Sequence, residues 1–187
     1  SNPGVGYTSA PTLTLVGGLG TGGVTATVMA DAPVTNASGG LTKTGTGALT
    51  LNGTNTYTGG TTLNAGTISL GHANGLGTSG NITFTGGGLQ YGSGITTDIS
   101  SRIKNSTGAV LIDTNSNNVT FASAVDSTNT LGLTKNGTGI LTLGGNNTYS
   151  GGTTINAGTI QLGANSTTAL GSGALSVASG ATLAMGN

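Results

Sequence analysis

The chain has 187 residues, 38 of them glycine, and its four basic and four acidic side chains leave it with no net charge at neutral pH. Charged residues are 4% of the whole, against about 25% in ordinary domains, which excludes a basic surface for nucleic acid or anionic lipid. The absence of cysteine excludes a disulfide framework and a thiolate zinc site, and no run approaches the roughly 18 apolar residues of a membrane helix.

Residues 1 to 25 match nothing else in the chain, and "SNPGVGYTSAP" lacks the pattern of a signal peptide. It reads as the interior of a longer or processed product. Residues 1–40 are expected to be an N-terminal β segment that supplies the first rungs and lies partly outside the repeat. From Leu41 to Gly71 the sequence aligns without a gap on Leu133 to Gly163, identical except at positions 44, 48, 52, 54, 58, 63 and 69. The differences are mild: Ala48 becomes Ile140, Thr58 becomes Ser150 and Leu63 becomes Ile155. The organisation read from this is a first repeat over 41–132 and a second, truncated one over 133–187.

Within each repeat the period is two. Leu49 and Leu51 alternate with Thr50, Ile68 and Leu70 with Ser69, Ile82 and Phe84 with Thr83, as in a strand with one buried face. Threonine, valine and isoleucine favour the pleated surface, and "NGTNT", "TGG", "NAG" and "TGGG" punctuate the strands as turns. "TTDISSRIK" is the nearest approach to a helical stripe, with Ile99 and Ile103 four apart, but its β-branched residues oppose a helix. Placed so regularly, the apolar residues argue against disorder, although the Gly, Ser and Asn content alone would permit it.

Strands this short, with turns this dense, do not make a stable hairpin sandwich. They suit a parallel β-solenoid of about eight rungs, each taking roughly 20–25 residues, with like stacked on like and polar side chains laddering outside. Leu49, Leu51, Leu63, Ile68 and Leu70, and likewise Leu141, Leu143, Ile155, Ile160 and Leu162, are expected to point inward.

"GLTKTGTGALTLNGTNTYTGGTTLNAGTISLG" from Gly40, and its twin from Gly132, resemble the autotransporter-associated β-strand repeat of bacterial passenger proteins. The resemblance runs from Gly40 to Gly71 and from Gly132 to Gly163. It implies a right-handed parallel β-helix outside the cell or on its surface, used as a stalk or scaffold, and it carries no catalytic residues over to this chain. The membrane barrel of autotransporters has no counterpart here.

The chemistry-bearing residues are few. Asp31, Asp98, Asp113 and Asp126 are the acids; paired carboxylates of a glycosidase or lyase would need two of them on neighbouring rungs, and the second repeat has none. No catalytic, cofactor or metal residue is therefore expected. Asp98 and Arg102 are expected to make a surface contact, and His72 to be a turn residue, because Ala164 replaces it in the second copy. Lys43 and Lys135, equivalent in "LTK", are expected at solvated corners or as gatekeepers against stray strand pairing. Tyr57 and Tyr149 are expected to cap the core with the hydroxyl reaching outward. The glycines around Gly45 and Gly47 are followed by no Gly-Lys-Ser/Thr, so no phosphate loop forms. A calcium nonapeptide is missing too. Eight Asn-x-Ser/Thr sequons, Asn52 and Asn136 among them, are expected by chance in this composition.

The function expected is a structural solenoid of a bacterial extracellular or cell-surface fibre, associating end to end or continuing a longer array. The alternative is an adhesin with matrix or host contacts. A third is an ice-binding solenoid, ranked last because Thr-x-Thr pairs are irregularly placed along the chain. No cofactor, nucleic-acid partner or membrane insertion is expected.

Overall fold

A computed structural model describes residues 13–15, 26–27, 39–164 and 170–186. Short strands β1 (Leu13–Leu15) and β2 (Ala26–Thr27) come first; the rest of the expected 1–40 segment, apart from Gly39 and Gly40, lies outside the described residues. Then follow β3 (Leu41–Lys43), β4 (Ala48–Leu51), β5 (Thr61–Leu63), β6 (Thr67–Leu70), β7 (Ile82–Phe84) and β8 (Gly88–Tyr91). After a 3-10 turn at Ser100–Arg102 come β9 (Val110–Asp113), β10 (Val119–Phe121), β11 (Leu133–Asn136), β12 (Ile140–Leu143), β13 (Thr153–Ile155), β14 (Thr159–Leu162), β15 (Leu175–Val177) and β16 (Thr182–Ala184). The "TTDISSRIK" stretch thus supplies only that short turn.

The strands form three parallel sheets wound into a β-solenoid of about seven turns. One face runs through eight strands, β2-β4-β6-β8-β9-β11-β13-β15; β1-β3-β5-β7 make a second face and β10-β12-β14-β16 a third. Rung length varies, since Leu49 takes Ala26 as its partner on one side and the nearer Ile68 on the other. Eight strands enclose seven intervals, a column about 34 Å tall at about 4.8 Å per rung.

Alternation does what the period-two pattern predicts. All of the residues expected inside are buried, from Leu49 to Leu162. With Phe84, Phe121, Tyr91 and the column of Ile and Val they form one continuous core along the axis. A fully buried Leu or Ile contributes about 1.5–3 kcal/mol, and no single rung could hold enough of them to fold alone.

The two copies of the repeat do not stack like on like. Leu41–Lys43 lies in the sheet of β1, whereas its copy Leu133–Asn136 lies in the eight-stranded sheet; Ala48–Leu51 lies in that sheet, but its copy Ile140–Leu143 lies in the sheet of β10. From Leu41 to Leu133 the chain makes about four and a third turns, so the second copy is displaced by one face. The adjustment falls between β7 and β10, where the rung containing Ser100–Arg102 replaces a strand by a 3-10 turn and an isolated bridge of Ile103 to Ile82.

Two measurements test this packing. Ile160→Asp buries an unpaired carboxylate beneath β14 and should cost roughly 3–5 kcal/mol, read from denaturant melts. Gly132→Ala should be far worse than Gly180→Ala. Both glycines have positive φ, but a Cβ on Gly132 would sit 2.0 Å from Gly152 O in the next rung, while one on Gly180 meets nothing within 4 Å and costs about 1–2 kcal/mol of left-handed strain.

Candidate functional site

The charged side chains are drawn inward or tied across rungs. Asp98 accepts from the backbone N–H of Ser100 at 2.8 Å and, from the next rung, of Ala122 at 3.0 Å. Arg102 does not pair with it, contrary to expectation. Its guanidinium instead donates to the carbonyls of Leu76, Gly77, Ser79 and Gly80 one rung below, because that loop leaves four acceptors facing one corner. Lys104 and Asp126 form the ion pair found among the described residues. Asp113 accepts from Gln90 at 2.9 Å and from the Asn115 N–H at 2.7 Å. Each of these acids therefore has its own partners, and among the described residues no group of His, Asp, Glu or Cys could hold a metal ion. Asp31 lies outside the described residues.

Lys43 and Lys135 are not solvated corners. They are 3% and 0% exposed. Strand alternation puts them on the same side as Leu41 and Leu133, and the turn that follows brings carbonyls to meet the ammonium. Lys43 Nζ donates to Thr44 O at 2.8 Å, Gly45 O at 2.7 Å and Ala65 O, one rung on, at 3.2 Å. Lys135 Nζ repeats the set on Asn136, Gly137 and Ala157 at 2.8, 2.6 and 3.2 Å. The staple joins two rungs at the same place in both copies. Burial lowers both ammonium groups, Lys135 to about 8 although Asp113 opposes the shift.

The tyrosine hydroxyls also turn inward. Tyr149 is fully buried and its hydroxyl bonds the buried Thr153 at 2.6 Å; Tyr57 makes the same bond to Thr61 at 2.8 Å. The expected outward hydroxyl is thus replaced by a local Tyr-to-Thr pair, because the threonine faces the core and needs a partner there. Burial raises both phenols, Tyr149 to about 12, and the threonine bond opposes the rise. His72 closes its own turn, Nδ1 accepting from the Asn74 N–H at 3.1 Å.

Sequence reasoning missed the buried asparagines. Asn129 accepts from the Ser106 N–H and donates to Ile103 O and Asp126 O; Asn117 accepts from the Gly94 N–H and donates to Gly92 O and Thr114 O. Asn55 donates to Gly75 O, and Asn147 accepts from the Val125 N–H. Each replaces a strand hydrogen bond at a corner. The signal available was the pair Asn55 and Asn147 at equal repeat positions. Among the described residues every buried side-chain nitrogen and oxygen has a partner.

What remains outside is mostly neutral and hydrogen-bonding. Ser69, Gln90 and Asp113 lie in register on the eight-stranded face and are linked by Ser69 Oγ to Gln90 and Gln90 to Asp113, with Asn156 donating to Asn136 further along the same face. Such a surface suits contact or display.

Residues 41–70 and 133–162 match the passenger-associated-transport-repeat family. Over 162 residues the chain is 37% identical to the adhesin BmaC autotransporter of Brucella suis biovar 1 (strain 1330), a match that takes in 79% of this chain and 5% of that protein. No solved structure matches.

The lysine staple yields two expected outcomes. Lys135→Met leaves three carbonyls without a donor and should lower stability by about 2–3 kcal/mol, measured by urea melts at pH 7. Between about pH 8 and the ordinary lysine value of 10.5 the unfolded chain holds the extra proton, so this lysine makes stability rise with pH across that window. The raised tyrosines act oppositely above about pH 10, because the unfolded chain then loses protons first. In Lys135→Met the rise should shrink while the fall persists.

Proposed function

We propose that this chain, whose residues 41–70 and 133–162 are passenger-associated transport repeats, is a non-catalytic rod section of a bacterial surface passenger. The chain is extracellular or on the cell surface, as the repeats and the autotransporter relative indicate. It spans 5% of that relative's length, so its role is that of a segment within a larger design. The observation that carries the reading is a core and an eight-stranded hydrogen-bond ladder that continue from rung to rung, while the charged side chains described are spent on holding rungs together. Such a column holds what lies at its two ends a fixed distance apart. Further rungs, from the same chain or from a second copy, extend it by the same backbone pairing.

A second reading, adhesion by the rod's own side, draws on the relative, which is named an adhesin. The two are separable. In solution scattering, a variant carrying one additional full repeat should be longer by about 20 Å at about 4.8 Å per rung, with an unchanged cross-section. In binding assays on immobilised matrix proteins and glycans, the segment should show no saturable signal. Saturable binding abolished by surface substitutions would favour the adhesin, and a duplicated chain that grows wider rather than longer would refute the rod.

A further inference from the structure

Two outward files of small hydroxyl and amide side chains lie in register on each repeat. In the first, Thr42, Thr62 and Thr83 are direct cross-strand partners on β3, β5 and β7. The next outward positions along the chain are Thr44, Asn64 and Thr85, so three successive rungs read Thr-x-Thr, Thr-x-Asn and Thr-x-Thr. The second repeat carries Thr134 with Asn136 on β11 and Thr154 with Asn156 beside β13, one face further round. Stacking aligns pairs that are scattered along the chain, over three rungs in the first repeat and over two in the second, where Leu111 and Asp113 border them on one side and Ser176 on the other.

Several of these groups are held in place. Thr83 Oγ donates to Lys104 O at 3.0 Å, Thr85 Oγ to Asn64 Oδ1 at 2.5 Å, and Asn156 Nδ2 to Asn136 Oδ1 at 2.9 Å. The array is thus a fixed lattice, about 4.8 Å between rungs and about 6.6 Å along a strand, the same order as the oxygen repeats on faces of hexagonal ice. The hydroxyl oxygens of Thr83 and Thr85, whose protons are donated within the protein, can still accept from water, and the threonine methyls order the water beside them. The files themselves are neutral. Lys43 and Lys135 are turned into the core, and the charges at the borders, Lys104 and Asp113, are engaged by Asp126 and by Gln90 and Asn115. A charged ligand therefore finds no counter-ion within the files.

We propose that the paired Thr/Asn files of each repeat, on two faces of the column, form a binding surface for ordered water, that is, for ice. The control face is the third one. There Thr120 and Thr142 are outward partners on β10 and β12, but the next outward positions are Ala122 and Gly144, so no second file forms.

The test is incorporation of the purified chain into a slowly growing ice hemisphere, with Thr62→Lys/Thr154→Lys and Thr142→Lys as variants. All three positions point outward, so melting temperatures should agree and report that each variant folds. Wild type and Thr142→Lys should be enriched in the ice fraction, and the double variant should lose that enrichment. Exclusion of wild-type protein from ice overturns the proposal. Equal loss in Thr142→Lys overturns it as well, since the files would then not be the surface. Capture by crystalline cellulose without ice incorporation would assign the files to a polysaccharide lattice and overturn it too.

Discussion

The spacing between rungs governs this structure. Parallel strands stacked at about 4.8 Å exchange their backbone hydrogen bonds with the rung above and the rung below, and no rung can move without breaking both sets. At the corners that spacing leaves no room for a Cβ, so the Gly-Gly pairs of "TGG" and "SGG" are imposed by the neighbouring rung's carbonyls. The glycine content is the consequence of the ladder, and the entropy those glycines cost is offset by a core that never ends between rungs.

The corners also explain the buried polar residues. Where a strand stops, carbonyls and amides no longer meet a ladder partner, and an unpaired one in a dry column costs free energy. Lys43, Lys135, Asn117 and Asn129 supply donors and acceptors at those points. Most of the charged residues lie between Asp98 and Lys135, around the rung where strand order shifts from one face to the next. Their bonds to the adjacent rungs hold together the one described stretch that lacks regular pairing on two faces.

The fold was legible because strand alternation is local: Leu49 with Leu51, and Ile68 with Leu70, each betray a buried face within a single strand. The same alternation placed Lys43 and Lys135 inward, since each follows a buried leucine at the next inward position. It was overruled by the expectation that a lysine stays in water, which holds only where no cluster of carbonyls waits for it. Tyr149 misled for a similar reason, its partner Thr153 being an inward threonine rather than an outward one. The asparagine bridges were hidden because most of their partners lie a full rung away, and that distance is fixed by rung length. No spacing within a single strand encodes it. The Thr/Asn files were obscured by the same variable rung length, which sets Ala26 farther from Leu49 in the chain than Leu49 is from Ile68.

The repeat length then bears on how the exterior is used. A repeat of a whole number of turns would lay each side chain directly over its copy and give the rod one distinctive side. Four and a third turns carry the copy round by one face, so Thr42 and Thr134 look in different directions although they occupy the same place in the phrase. Successive repeats of this length would distribute the same polar patch around the shaft, returning to the first face at the fourth copy. Identical rungs are also kept from lying in line on adjacent repeats, which removes an easy route to register slip in a sequence this repetitive. The fractional turn therefore keeps the stack to one register and sets the polar patch of one copy on a different face from that of the other.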